Sequence, residues 1–183
     1  MKFIKIAPLF KKLSYSYNSA NVGGGEMVTA LSVSNNFIKR AESDNEKITP
    51  MKLQKLLYFL YARMLFKYDL KLFDETFETW KYGPVIPEVY YYFARYNNKP
   101  IGDYYYGSGG KAYFTRSESN IFEDAFEEIW NEFKSKSGWD LSDLTHGLGA
   151  IKDTAWTKAR DLKNPHLKDE DIKIDGGGFF EKE

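Results

Sequence analysis

The sequence predicts a mainly α protein: a compact domain of about five to six helices carrying one small β-hairpin. Three observations lead there. Apolar residues recur at spacings of three and four through most of the chain, helix-start residues stand ahead of those runs, and β-forming aromatics flank a Gly-rich turn at one place, Gly102 to Thr115. A length of 183 residues suits a single domain, and 43% hydrophobic with 17% aromatic residues can offset the conformational entropy lost on folding.

The amino end differs from the rest. Ser14 to Glu26 (SYSYNSANVGGGE) is polar and Gly-rich and shows neither period, so residues 1–26 read as a flexible leader. Gly23-Gly24-Gly25-Glu26 stands directly before Met27, and the purine-rich codons of Gly and Glu suit a bacterial ribosome-binding site, which makes Met27 a candidate start. The domain is then expected over 27–175, with 176–183 as a Gly-rich tail.

Helical spacing of Leu31, Ser34, Phe37, Ile38 and Ala41 predicts the first helix, broken by Ser43 to Glu46. The second has the best start signal: Thr49 to cap, Pro50 at the first helical position, then Leu53, Leu56, Leu57, Leu60, Met64 and Leu65 on one face. It is expected to be the central core helix. Phe77 to Pro87 (FETWKYGPVIP) combines β-formers with Gly83 and two prolines, which implies an extended stretch and a tight turn. Pro87 then opens a helix with Val89, Tyr92, Phe93 and Tyr96 on one face.

Tyr104 to Tyr106 and Ala112 to Phe114 are the arms expected for the hairpin around Gly107 to Gly110, the one sheet foreseen. Helical spacing resumes from Ser117 through Phe122, Phe126, Ile129, Trp130 and Phe133, and Gly138 is expected to end that helix. Asp140 and Asp143 resemble a cap and its third-position partner for a short helix, and a last helix is expected from Trp156 to Leu162.

With 26 basic and 26 acidic residues, the chain lacks the basic excess that drives non-specific nucleic-acid binding. There is no cysteine and no apolar run of the roughly 20 residues a membrane span needs, so a cytoplasmic location is expected. The apolar runs of Met1 to Lys12 are too short for a signal-peptide core.

The candidate chemistry is sparse. His146 and His166 are the only histidines and neither has metal-ligand spacing. Gly107–Gly110 and Gly176–Gly178 match no phosphate-loop pattern, and the carboxylates at 123–128 and 169–171 read as solvated faces. No cofactor or metal is therefore implied, and whether a small molecule binds is left open. The tyrosines at 90–92 and 104–106 suit protein contact better than base stacking.

Three blocks carry a family resemblance. Ile48 to Ala62 (ITPMKLQKLLYFLYA) contains Leu53, Gln54, Lys55, Leu56, Leu57 and Tyr58 in an LQKLLY order that amphipathicity alone does not dictate. Trp80 to Tyr90 (WKYGPVIPEVY) sets Tyr82, Gly83, Pro84, Val85 and Pro87 in a turn leading into a helix. Leu141 to Arg160 carries Leu141, Leu144, Thr145 and His146, then Trp156, Ala159 and Arg160.

Together these resemble the Panacea domain, the family of SocA-like and GepA-like phage-associated proteins. Two departures stand out: a longer spacer between His146 and Trp156, and an IKIDGGGFFEKE end where the family closes on a helix ending in Tyr-Phe.

The resemblance implies an antitoxin that binds and silences a toxin encoded nearby and, in SocA-like members, delivers it to a protease. It implies no catalytic residues. Its motif positions Gln54, Lys55, Tyr58, Trp80, Tyr82, Gly83, Pro84, Pro87, Tyr90, His146, Trp156 and Arg160 become the candidate partner-binding residues. Two alternatives stay open. One is a hydrolase using His146 with Asp143 or Asp153 and Ser142 or Thr145 as nucleophile. The other is a nucleic-acid-binding regulator in which Lys52, Lys55, Arg63, Lys81 and Arg95 merge into one basic face.

Overall fold

The computed structural model describes residues 28–107, 110–111 and 121–180. Seven α-helices and two short antiparallel hairpins are found among them, so the mainly α class holds. The leader expected over 1–26, the hairpin arm Ala112 to Phe114 and the helix start at Ser117 lie outside the described residues.

Helix α1, Ala30–Ser43, starts at a capping box in which the Thr29 hydroxyl accepts from the Ser32 amide and the Ser32 hydroxyl from the Thr29 amide. Its inward stripe is Val33, Phe37, Ile38 and Ala41. Helix α2, Pro50–Tyr68, is capped by Thr49, with Pro50 at its first position as the sequence predicts, and ends at Asp69 in the left-handed conformation.

One expectation about α2 is too modest. Every residue from Lys52 to Leu65 is buried, polar ones included, because α1, α4, α5, α7 and β2 all pack around it. A helix enclosed on all sides must satisfy its polar side chains internally, and this requirement builds the site described below.

Strand β1, Glu78–Trp80, pairs antiparallel with β2, Gly83–Val85, in the register Glu78 with Val85, Thr79 with Pro84 and Trp80 with Gly83. The sequence predicts an extended stretch with a turn here and a single sheet elsewhere; the pairing corrects that expectation. Each strand is only three residues long, too short for alternation to register. The outer edge of β1 is covered too, since the Thr79 amide donates to the Pro165 carbonyl at 2.8 Å and the Leu167 amide to the Phe77 carbonyl at 2.9 Å.

Pro87 opens α3, Pro87–Phe93, which tightens into a 3-10 turn, Ala94–Tyr96. The second hairpin, β3 (Tyr106–Gly107) with β4 (Gly110–Lys111), lies within the stretch predicted for it, with Tyr104 and Tyr105 outside β3. Helix α4, Ile121–Phe133, buries Phe122, Phe126, Ile129, Trp130 and Phe133, the predicted face.

The carboxy-terminal third needs three corrections. Gly138 does not end α4; it begins α5, Gly138–Thr145, whose cap is Ser137 in a box with Asp140 rather than Asp140 with Asp143. The helix expected to be last, α6 (Ala155–Asp161, capped by Thr154), is followed by α7, Asp169–Gly178. Gly176–Gly178 are thus the last turn of a helix, with Gly176 and Gly177 buried, instead of a tail. A β-carbon at Gly176 would stand 2.1 Å from the Ala62 carbonyl oxygen, so the absence of one is what lets α7 lie directly on the backbone of α2.

Candidate partner-binding face

The enclosed helix α2 turns Gln54 and Lys55 toward the β1–β2 hairpin. Lys55 Nζ donates to the Pro84 carbonyl at 2.8 Å, and the Gln54 amide clamps Ile86, donating to its carbonyl at 3.1 Å and accepting from its N–H at 2.9 Å. From α5, the Ser142 hydroxyl donates to the Tyr82 carbonyl at 3.0 Å; from α6, Trp156 Nε1 donates to the Trp80 carbonyl at 2.9 Å. Four alternate carbonyls, at 80, 82, 84 and 86, are therefore each held by a side chain from one of three helices. The three blocks of the sequence meet at this point.

Gly83 is required here twice. Its φ of +98° lies in the left-handed region, and a β-carbon would come within 2.6 Å of Thr145 Oγ1 and 2.7 Å of Lys55 Nζ.

A further chain of hydrogen bonds braces the grip from behind. Thr154 Oγ1 donates to the Thr145 carbonyl at 2.7 Å, and the Asp175 carboxylate accepts from the Ala155 N–H at 3.0 Å and from the Tyr58 hydroxyl. Burial pushes the Asp175 carboxyl up to about 6, against the lowering pull of those two donors. Burial, followed by the Asp175 charge, carries Tyr58 far above its usual value, so it remains a neutral donor.

The predicted site residues accordingly divide in two. Gln54, Lys55, Tyr58, Gly83, Pro84 and Trp156 are buried, while Trp80, Pro87 and His146 are half-buried. Tyr82, Tyr90 and Arg160 are exposed. The exposed members have company that the motifs did not flag. Tyr82 is 45% exposed and meets Trp139, 58% exposed, edge to face at 5.2 Å. Tyr90 packs on Trp80 at 4.7 Å and on Tyr91, 70% exposed, at 5.5 Å. Lys81 caps the Tyr82 ring at 5.1 Å, and Arg160 caps the Trp156 ring at 4.8 Å.

Trp139 and Asp175 are the positions in this arrangement that sequence reasoning missed. Trp139 stands in the first turn of α5 with no periodic signal, and Asp175 lies in a Gly-rich stretch that read as a linker.

The two alternative chemistries fare differently from this face. His146 does lie beside a hydroxyl, Nδ1 to Ser142 Oγ 3.3 Å, but Ser142 is buried and directs its proton to the Tyr82 carbonyl, while Thr145 donates to the Ser142 carbonyl at 2.7 Å. A nucleophile would need its proton aimed at the imidazole and its oxygen open to substrate. His146 instead sits edge-on to Trp156 at 3.9 Å, and burial followed by the Lys55 charge holds it below the usual imidazole range.

The five cations proposed for a nucleic-acid face are dispersed. Lys55 is interior, Lys52 donates to the Lys134 carbonyl, Arg63 pairs with Glu128, Arg95 pairs with Asp103, and Lys81 covers Tyr82. No helix among the described residues is long and apolar enough to cross a membrane.

Comparison with known proteins adds the following. The family model described as "Antitoxin SocA-like, Panacea domain" matches residues 53–156. Over 76 residues the chain is 38% identical to Antitoxin SocA of Caulobacter vibrioides (strain NA1000 / CB15N), a stretch covering 42% of this chain and 40% of that protein. The likeness thus extends over less than half the length of that relative. No solved structure matches.

Proposed function

Because the chain belongs to the SocA-like Panacea-domain family, we propose that it is an antitoxin that neutralises a toxin encoded beside it by binding that toxin directly. The observation that carries this reading is the aromatic face. Trp80 and Tyr82 stand on a hairpin whose carbonyls are gripped from below, and Tyr90, Tyr91 and Trp139 pack beside them from two helices. Exposed aromatics are the favoured anchors of protein interfaces, and a surface that is already rigid loses little entropy when it docks.

The reading predicts stoichiometric protection. Toxin activity should fall in proportion to added antitoxin and reach its floor near one equivalent. Tyr82→Ala and Trp139→Ala should each weaken binding by roughly 30-fold, about 2 kcal/mol, where they strike a hot spot, with the fold intact. His146→Ala should act only through stability. Protection by clearly sub-stoichiometric protein without a protease, lost in a stably folded His146→Ala variant, would falsify the binding reading and favour turnover chemistry.

A further inference from the structure

Two bases lie under the hairpin. Lys55 is 1% exposed; it donates to the Pro84 carbonyl and, among the described residues, enters no ion pair. Its amine is pressed against the backbone of Gly83, as the 2.7 Å approach of a notional β-carbon shows. His146 is the second base, held between Ser142 and Trp156.

The charged groups on the surrounding elements are engaged elsewhere. On the hairpin, Glu78 accepts from the Trp80 indole and Lys81 covers Tyr82. On α2, Lys52 donates to the Lys134 carbonyl. On α5, Asp140 belongs to the cap, and Asp143, which is exposed, favours a charged His146. On α6, Lys158 pairs with Asp171 and Arg160 with Asp161. On α7, Asp175 faces Tyr58 and Ala155.

We infer that this pair of bases makes the aromatic face proton-sensitive: uncharged, it lets the hairpin stay seated, and when acid charges it the hairpin is unseated and the partner released. A neutral amine with one acceptor is satisfied where Lys55 lies. An ammonium has three donors and a charge to hydrate, and Gly83 and Thr145 stand over it. Water can reach it only if the hairpin lifts, and a charge on His146 repels it further.

The threshold falls in an accessible range, since burial pushes Lys55 down to about 7, and burial together with Lys55 lowers His146. The clause about the partner rests on the antitoxin reading; the response of the hairpin does not.

The test uses the full chain, followed by NMR from about pH 9 to about pH 6. Lys55 is read directly from its Cε shift. The hairpin is read from hydrogen exchange, corrected for intrinsic rates, at the Trp156 indole N–H and the Ile86 amide, with the Ile129 amide in α4 as reference. Hairpin protection should fall about tenfold relative to Ile129 for each unit of pH lost above the Lys55 midpoint and level off at that midpoint. Lys55→Met keeps the length without the charge and should abolish the fall above the Lys55 midpoint, leaving only what His146 contributes at lower pH; if that variant does not fold, the coincidence of the levelling-off with the Lys55 midpoint in the wild type decides.

Flat protection, a levelling-off displaced from the Lys55 midpoint, or a fall above that midpoint surviving in Lys55→Met overturns the inference. With the toxin added, affinity should weaken over the same interval. A toxin bound equally well at every pH while the hairpin opens refutes release. A toxin that binds at no pH refutes the antitoxin reading and leaves the hairpin response standing.

Discussion

Replacing Gly176 with alanine should be among the most damaging single-methyl changes possible here. The added carbon would stand 2.1 Å from the Ala62 carbonyl oxygen and 2.6 Å from its carbon, both backbone atoms of the central helix α2. An ordinary carbon–oxygen contact is about 3.3 Å, so α7 must retreat by roughly an ångström. It would pull Asp175 from Tyr58 and the Ala155 N–H, and draw Phe179 and Phe180 from Phe59 and Phe133. Overpacking of this kind costs about 1–3 kcal/mol, a disturbed buried hydrogen bond adds about 1–3, and the helix propensity of alanine returns about 1. The net is about 3 kcal/mol, or roughly 6–12 °C in Tm for a domain of this size. Urea and thermal unfolding would measure it. Gly178→Ala serves as the control, because its β-carbon would meet only the flexible end of Ile151. A Gly176→Ala protein as stable as the wild type would mean that α7 does not rest on α2, and the account of the carboxy-terminal third would fail.

Three other outcomes are expected. Leu57→Ala, at a fully buried position in the middle of α2, should cost about 2–5 kcal/mol by urea denaturation, and a loss below about 0.5 would contradict its placement. Gly83→Val should unseat the hairpin, since valine meets both an adverse φ and the Lys55 and Thr145 side chains; a normal amide spectrum for residues 80–86 would contradict this. Asp175, with its carboxyl raised to about 6, favours folding when protonated, so its contribution is complete below about pH 4 and is lost as pH rises through 6. Asp175→Asn should therefore remove a fall of about 3 kcal/mol that the wild type shows across that interval, and identical pH–stability curves for the two proteins would refute the assignment.

How much of this was legible in advance follows from the range of the forces involved. Thr49 and Pro50 announce α2, and Pro87 announces α3, because capping and proline geometry act within one turn of helix. The apolar stripe of α4 was equally plain, since its face repeats every three to four residues. Where local signals compete, tertiary packing decides. Gly138 and Gly176 look like helix breakers along the chain, yet each stands in a helix packed closely on α2, which no local rule anticipates.

The site shows the same division more sharply. Its components were visible as three blocks of unusual residues, and their order in the chain sufficed to suggest the family. What each residue does was not visible. Gln54 and Lys55 lie off the apolar stripe that marks α2 in the sequence, and they are interior because the elements around α2 enclose it. Lys55 reaches Pro84 across 29 residues, Ser142 reaches Tyr82 across 60, and Trp156 reaches Trp80 across 76. Periodicity and capping identify helices because they are short-range. The grip on the hairpin, and with it the choice of which aromatics face the solvent, depends on donors and acceptors far apart in the chain whose pairing exists only once the core has closed around α2.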